Sequence, residues 1–137
     1  MVLSCLLAQS AVLSAAMTKP NAKSEVVAQQ AAEEWLALVD AKNYSESWQA
    51  AAGYFKKNVS EKKWKDTLAP VREPLGKVVS RKLKSAQYTK ELPGAPDGEY
   101  VVIQFDTVFA NKKAAVETVT PMKDTDGQWR VSGYFIR

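Results

Sequence analysis

At Gly76 the apolar residues of this chain change their period, and that change limits the folds open to it. Before it, apolar side chains recur three and four residues apart, the spacing of a helix face. Ala28, Ala31, Ala32, Trp35, Leu38 and Val39 predict a helix over Glu25–Ala41, with Ser24 as its N-cap. A second helix is expected over Ser45–Lys57, burying Tyr44, Trp48, Ala51, Ala52 and Phe55. A third starts after Ser60, a good N-cap, and carries Trp64, Leu68 and Val71 on one face. Pro70 and Pro74 lack the N–H a helix interior needs, so this helix should kink or end near them, and Gly76 suits a chain reversal.

Beyond Gly76 the pattern alternates, as in strands with one buried face. Strands are expected over Val78–Tyr88, Glu99–Phe109, Ala114–Met122 and Gln128–Ile136. The stretch from Pro93 to Gly98 is turn chemistry throughout, and Asp126-Gly127 is a hairpin signal. Helices followed by consecutive antiparallel strands make an α+β fold. The expectation is about three N-terminal helices packed on one face of a curved, cone-like antiparallel sheet of four strands.

Ahead of the first helix, Val2 to Ala16 is mostly apolar or small, and no charge occurs before Lys19. Such a run is short for a membrane span but suits the apolar part of a secretory signal. The expected organisation is a signal peptide over residues 1–16, a polar tether over 17–24 and one α+β domain over 25–137, giving a periplasmic or secreted protein. Cys5, the sole cysteine, falls inside the leader. It reads as an ordinary apolar residue of a signal, with lipid anchoring as the alternative.

The 137 residues contain no histidine and carry a net charge of +4. Without histidine, Ser-His and Cys-His nucleophile pairs are excluded, together with the commonest metal ligand. No catalytic constellation, metal site or cofactor motif is expected. The lysines are dispersed and no nucleic-acid module is visible, so nucleic-acid binding is not expected. Membrane contact is expected only through the leader or weak surface charge.

Within the second expected strand, Val101, Ile103, Phe105, Thr107 and Phe109 point one way and should meet the helices. In the last, Trp129, Val131, Gly133 and Phe135 form the apolar set. The other face then carries Gln104, Asp106, Arg130 and Tyr134; in the third strand Val116, Thr118 and Thr120 compete with Glu117 and Val119, and one of these two readings adds Glu117. These five are the candidate ligand or interface residues. A half-apolar, half-polar face of this kind suits a homodimer surface or a shallow ligand site. Asp106 is the notable acid, because aspartate is disfavoured in mid-strand. It is either paired with Arg130 or another cation across the sheet, or is the base of a small-molecule lyase or isomerase. Trp35, Trp48, Trp64 and Trp129 are assigned to the core.

Several stretches carry a family resemblance. They include Ala32-Glu33-Glu34-Trp35-Leu36, Tyr44 through Trp48, Trp64, and Arg72-Glu73-Pro74-Leu75-Gly76. Leu92 through Tyr100, Gln104 through Lys112 and Trp129 through Arg137 complete them. Together they resemble the bacterial domain of unknown function 4019 family. The resemblance implies export and a small α+β domain, and transfers no catalytic residue. The order of elements also resembles the nuclear transport factor 2-like and cystatin-like superfold, whose members range from isomerases to binding modules, so it implies a fold and no single activity. The reading that results is an exported binding or interaction module without catalytic activity, homodimeric through the outer sheet face. The alternative is the lyase or isomerase with Asp106 in a cone pocket.

Overall fold

The computed structural model describes residues 20–137. The expected signal segment with Cys5, and the first residues of the tether, lie outside the described residues. Helix α1 spans Ala22–Asp40. It starts earlier than the expected Ser24 cap because the amide of Glu25 already bonds the carbonyl of Asn21 at 3.0 Å. Ala22 and Lys23, both good helix formers, extend the first turn, and the last residues assigned to the tether are helical.

The single helix expected over 45–57 is two short ones, α2 (Tyr44–Gln49) and α3 (Gly53–Asn58). Between them the chain leaves helical geometry so that the amide of Ala52 can bond the carbonyl of Val131 at 2.8 Å. Ala51 and Ala52 are buried there, their small side chains allowing the close approach to a strand backbone. Helix α4 (Glu61–Arg72) is capped as expected, the Ser60 hydroxyl accepting from the amide of Lys63. It passes Pro70 and ends two residues later, where Glu73–Leu75 tighten into a 3-10 turn. Gly76 follows at φ 76°. A Cβ there would sit 3.1 Å from both the Ala110 Cβ and the Asn111 side-chain nitrogen, so glycine is required twice over.

The strands β1 (Val78–Thr89), β2 (Tyr100–Phe109), β3 (Lys112–Lys123) and β4 (Trp129–Ile136) form one antiparallel sheet in sequence order. Ala28, Ala32, Trp35, Leu36 and Val39 of α1 meet Val101, Ile103 and Phe105 of β2, Val119 of β3 and Val131 of β4, with Trp64 and Leu68 of α4 closing the core. Leu36 takes the deep position expected for Leu38, since it follows Ala32 by four residues on the side turned to the sheet.

One irregularity reverses part of the expected face assignment. Thr120 pairs with Gly133 and Pro121 with Val131, so Ser132 is an extra residue in β4. Pro121 cannot donate to the ladder, and a bulge is where a strand proline is tolerated. The inserted residue inverts every later side chain of β4. Trp129 and Val131 lie on the helix side as expected. Past the bulge Tyr134 pairs with Val119 and joins the core, while Phe135 turns outward and is 57% exposed. The expected inward Phe135 and outward Tyr134 have therefore exchanged places.

Candidate functional site

The five candidate residues do not converge. Gln104 and Asp106 lie on the outer face of β2, where Asp106 is exposed, with Lys82 and Val116 as its register partners. That placement corrects the expectation of Asp106 in an interior pocket, because β2 turns Phe105 and Thr107 to the helices and leaves the residue between them on the other side. Arg130 does not pair with Asp106. It binds Asp124 at 3.1 Å and Asp126 at 2.8 Å, clamping the β3–β4 hairpin. Tyr134, assigned to the outer face from the alternation, and Glu117, whose face the alternation left open, lie inside.

Glu117 has Phe105 as its register partner and is fully buried. Its Oε1 accepts from Arg81 Nε at 2.7 Å and from the Thr107 hydroxyl at 2.6 Å. Its Oε2 accepts from Arg81 Nη2 at 3.3 Å and from the Tyr134 hydroxyl. Arg81 reaches on to both oxygens of Asp40 at the end of α1, at 2.8 and 3.0 Å. Arg72, 5% exposed at the end of α4, donates to Asp40 at 2.8 Å and lies with its guanidinium carbon 5.0 Å from the Phe109 ring centre. Two arginines thus balance two carboxylates between sheet and helices, and every carboxylate oxygen has a donor. Burial, and then the charge of Glu117, push the Tyr134 hydroxyl above its ordinary pKa. Chemically the group is a neutral network in which Arg72 Nε, buried, has no hydrogen-bond partner among the described residues. It ties the ends of two helices to the middle of the sheet.

From the sequence, Arg72 and Arg81 read as partners of surface carboxylates, with an anion as the alternative; they do pair with carboxylates, but between sheet and helices rather than at the surface. No local pattern marks a strand arginine as inward-facing, although an arginine between the bulges of β1 and a glutamate in mid-β3 are complementary charges in opposite sequence halves of one sheet.

Three aspartates make acid stability measurable. Burial alone would raise the Asp40 carboxyl, but Arg81 and then Arg72 hold it below its usual value of 3.8. The amide of Gly53, followed by that of Thr125, lowers Asp124. Arg130 and then the Gln128 amide bring Asp126 down to about 2. Each group binds a proton more readily when unfolded, so its contribution is complete above pH 3.8 and is lost as pH falls through the folded value. The urea midpoint is expected to hold steady from neutral pH to about 4 and to fall between there and pH 2. Arg130→Met should flatten part of that fall. A midpoint level across the acid range would contradict the pairings.

The outer face of the sheet is the other extended feature. Val102, Val108, Val116, Thr120 and Met122 are partly exposed there, alongside Phe135, while the helices bury the opposite face. At its middle Thr118 pairs with Gln104 on one side and Phe135 on the other. It is only 4% exposed and its hydroxyl has no partner among the described residues. The helices do not include one long and apolar enough to cross a membrane among the described residues.

A family model described as Protein of unknown function (DUF4019) matches residues 31–134. That span runs from the middle of α1 to Tyr134 and takes in the whole network. No curated protein and no solved structure matches the chain.

Proposed function

We propose that this chain, which belongs to the DUF4019 family of proteins of unknown function, is an exported, non-catalytic interaction module that associates with a second copy of itself through the outer face of its sheet. The observation carrying this reading is the uncovered face with Val102, Val116, Met122 and an outward Phe135. Large aromatic and aliphatic side chains on an uncovered face favour burial against a partner. Export rests on the leader's composition, and the likeness to the nuclear transport factor 2-like and cystatin-like superfold on the order of elements. The engagement of both Glu117 oxygens supports the non-catalytic part, since a general base needs a free lone pair for its substrate.

Light scattering of the mature protein tests this directly, with twice the monomer mass expected. Phe135→Glu combined with Val102→Glu should weaken association by at least about a hundredfold while the circular dichroism stays unchanged. Both positions are on the outer face, so the folded monomer tolerates the charge. A wild-type protein that is monomeric at high concentration would remove this reading. Tyr134→Arg is not an interface variant, because that residue lies in the core.

A further inference from the structure

We propose that the cleft between the end of α1 and the start of β1 is a binding site for a small monocarboxylate. The cleft has a volume of about 250 Å³. Its inner wall is made by Tyr44 and Arg72, which are 9% and 5% exposed. The Tyr44 carbonyl accepts from the Ser47 hydroxyl, but the Tyr44 hydroxyl has no hydrogen-bond partner among the described residues. Burial, and then the charge of Glu73, raise its pKa while Arg72 opposes them. Tyr44, Arg72 and Glu73 line the cleft together, and the phenol keeps its proton. The Tyr44 hydroxyl is open to solvent rather than buried, and its unused proton is available to an acceptor in the cleft.

Two lysines stand at the rim. Lys42 and Lys77 are exposed and form no ion pair among the described residues. Lys42 closes α1 at φ 63°, a left-handed position that glycine fills most easily. The chain keeps a lysine there at some conformational expense, and the residue lines the cleft. The carbonyls of Ala37, Val39 and Leu38 near this helix end are occupied by the amides of Ala41, Lys42 and Asn43, which reduces their repulsion of an anion.

The same lining decides which anion fits. Asp40 is neutralised by Arg72 and Arg81, whereas Glu73 has no ion pair among the described residues. Two ammonium groups against one free carboxylate leave a single positive charge, which suits a monoanion better than a phosphate dianion. Val39 and Ala41 add an apolar wall for a short carbon chain. The volume lies below the roughly 300–1,000 Å³ of drug-sized sites, so the chain has only a few carbons.

Titration of the mature protein at low salt, followed through its amide resonances, tests the proposal. Propionate is the probe, with inorganic phosphate, propylamine and alanine as comparisons. Saturable shifts are expected with propionate at Tyr44, Gly76 and Lys77, with weaker or no response to the other three. Tyr44→Phe and Lys77→Met should each weaken binding about tenfold or more. Lys42→Gly should weaken binding and raise the melting temperature together, two effects a merely structural role would not combine. Glu73→Gln should tighten binding by removing a repulsive charge. The proposal is overturned if propionate gives no saturable shift at the cleft, if phosphate binds more tightly, or if Tyr44→Phe binds as wild type. Weaker binding in Glu73→Gln would overturn it in favour of a ligand carrying an amine. The readout does not depend on association through the sheet face, so the two proposals fail separately.

Discussion

Replacing Glu117 with alanine is expected to lower stability by about 3–5 kcal/mol, among the largest effects of any single change in this protein. The carboxylate is fully buried and engages Arg81, Thr107 and Tyr134. Its loss leaves two arginines facing one aspartate, the Thr107 hydroxyl without its acceptor and the Tyr134 hydroxyl with only a 3.4 Å bond from Arg72. An uncompensated buried charge is costlier than the pair it came from was stabilising, because removing the pair also removes its desolvation. A second variant separates these contributions. Glu117→Leu combined with Arg81→Met leaves Arg72 and Asp40 as a balanced pair at 2.8 Å. The double variant should recover most of the loss seen in Glu117→Ala. Urea denaturation of the single and double variants reads both quantities. A loss under about 1 kcal/mol in Glu117→Ala would show that the carboxylate is not held as described.

Trp35→Ala is expected to cost a similar amount, about 3–5 kcal/mol, by a different route. The indole is 4% exposed, stacks at a tilt 6.0 Å from Trp64 and meets Tyr134 edge-on at 5.3 Å. Truncation opens a cavity where α1 crosses the sheet. It also frees the carbonyl of Ser47, to which the indole N–H donates at 2.8 Å. Ser47 is fully buried, and its hydroxyl already accepts from Trp64 at 3.0 Å. Trp35→Phe keeps most of the ring volume and loses the hydrogen bond, so its cost should be smaller, about 1–3 kcal/mol for the unpaired carbonyl. Equal losses in the two variants would mean that packing contributes little at this position.

These two sites differ in how readable they were. Trp35 lies on a helical stripe with Ala28, Ala32 and Val39, and three- and four-residue spacing identified it as core without any knowledge of its neighbours. The alternation left the face of Glu117 open, and it was counted with the outer candidates. Its strand offers Val116, Thr118 and Thr120 against Glu117 and Val119, and hydrophobicity alone prefers the first set inward. The chain turns the second set inward because Arg81, Thr107 and Tyr134 meet the carboxylate there. Tyr134 was misplaced for a related reason, the extra residue at Ser132. The one clue was Pro121, a proline without a donor in a strand with neighbours on both sides. It signals an interruption but not which strand absorbs the extra residue.

From the sequence alone came the change of period at Gly76, the α+β class, the four strands, the Ser60 cap and the inward face of β2. These follow from local properties: side-chain spacing, backbone preference and the chemistry of turns. The tertiary structure decided the division of the second helix, the exchange of Tyr134 with Phe135 and the gathering of Asp40, Arg72, Arg81 and Glu117. Each depends on a hydrogen bond or charge supplied by a distant segment, such as Ala52 to Val131 or Arg81 to Glu117. A buried charge is tolerable only beside its counter-charge, and which counter-charge arrives is settled by packing between elements far apart in the chain.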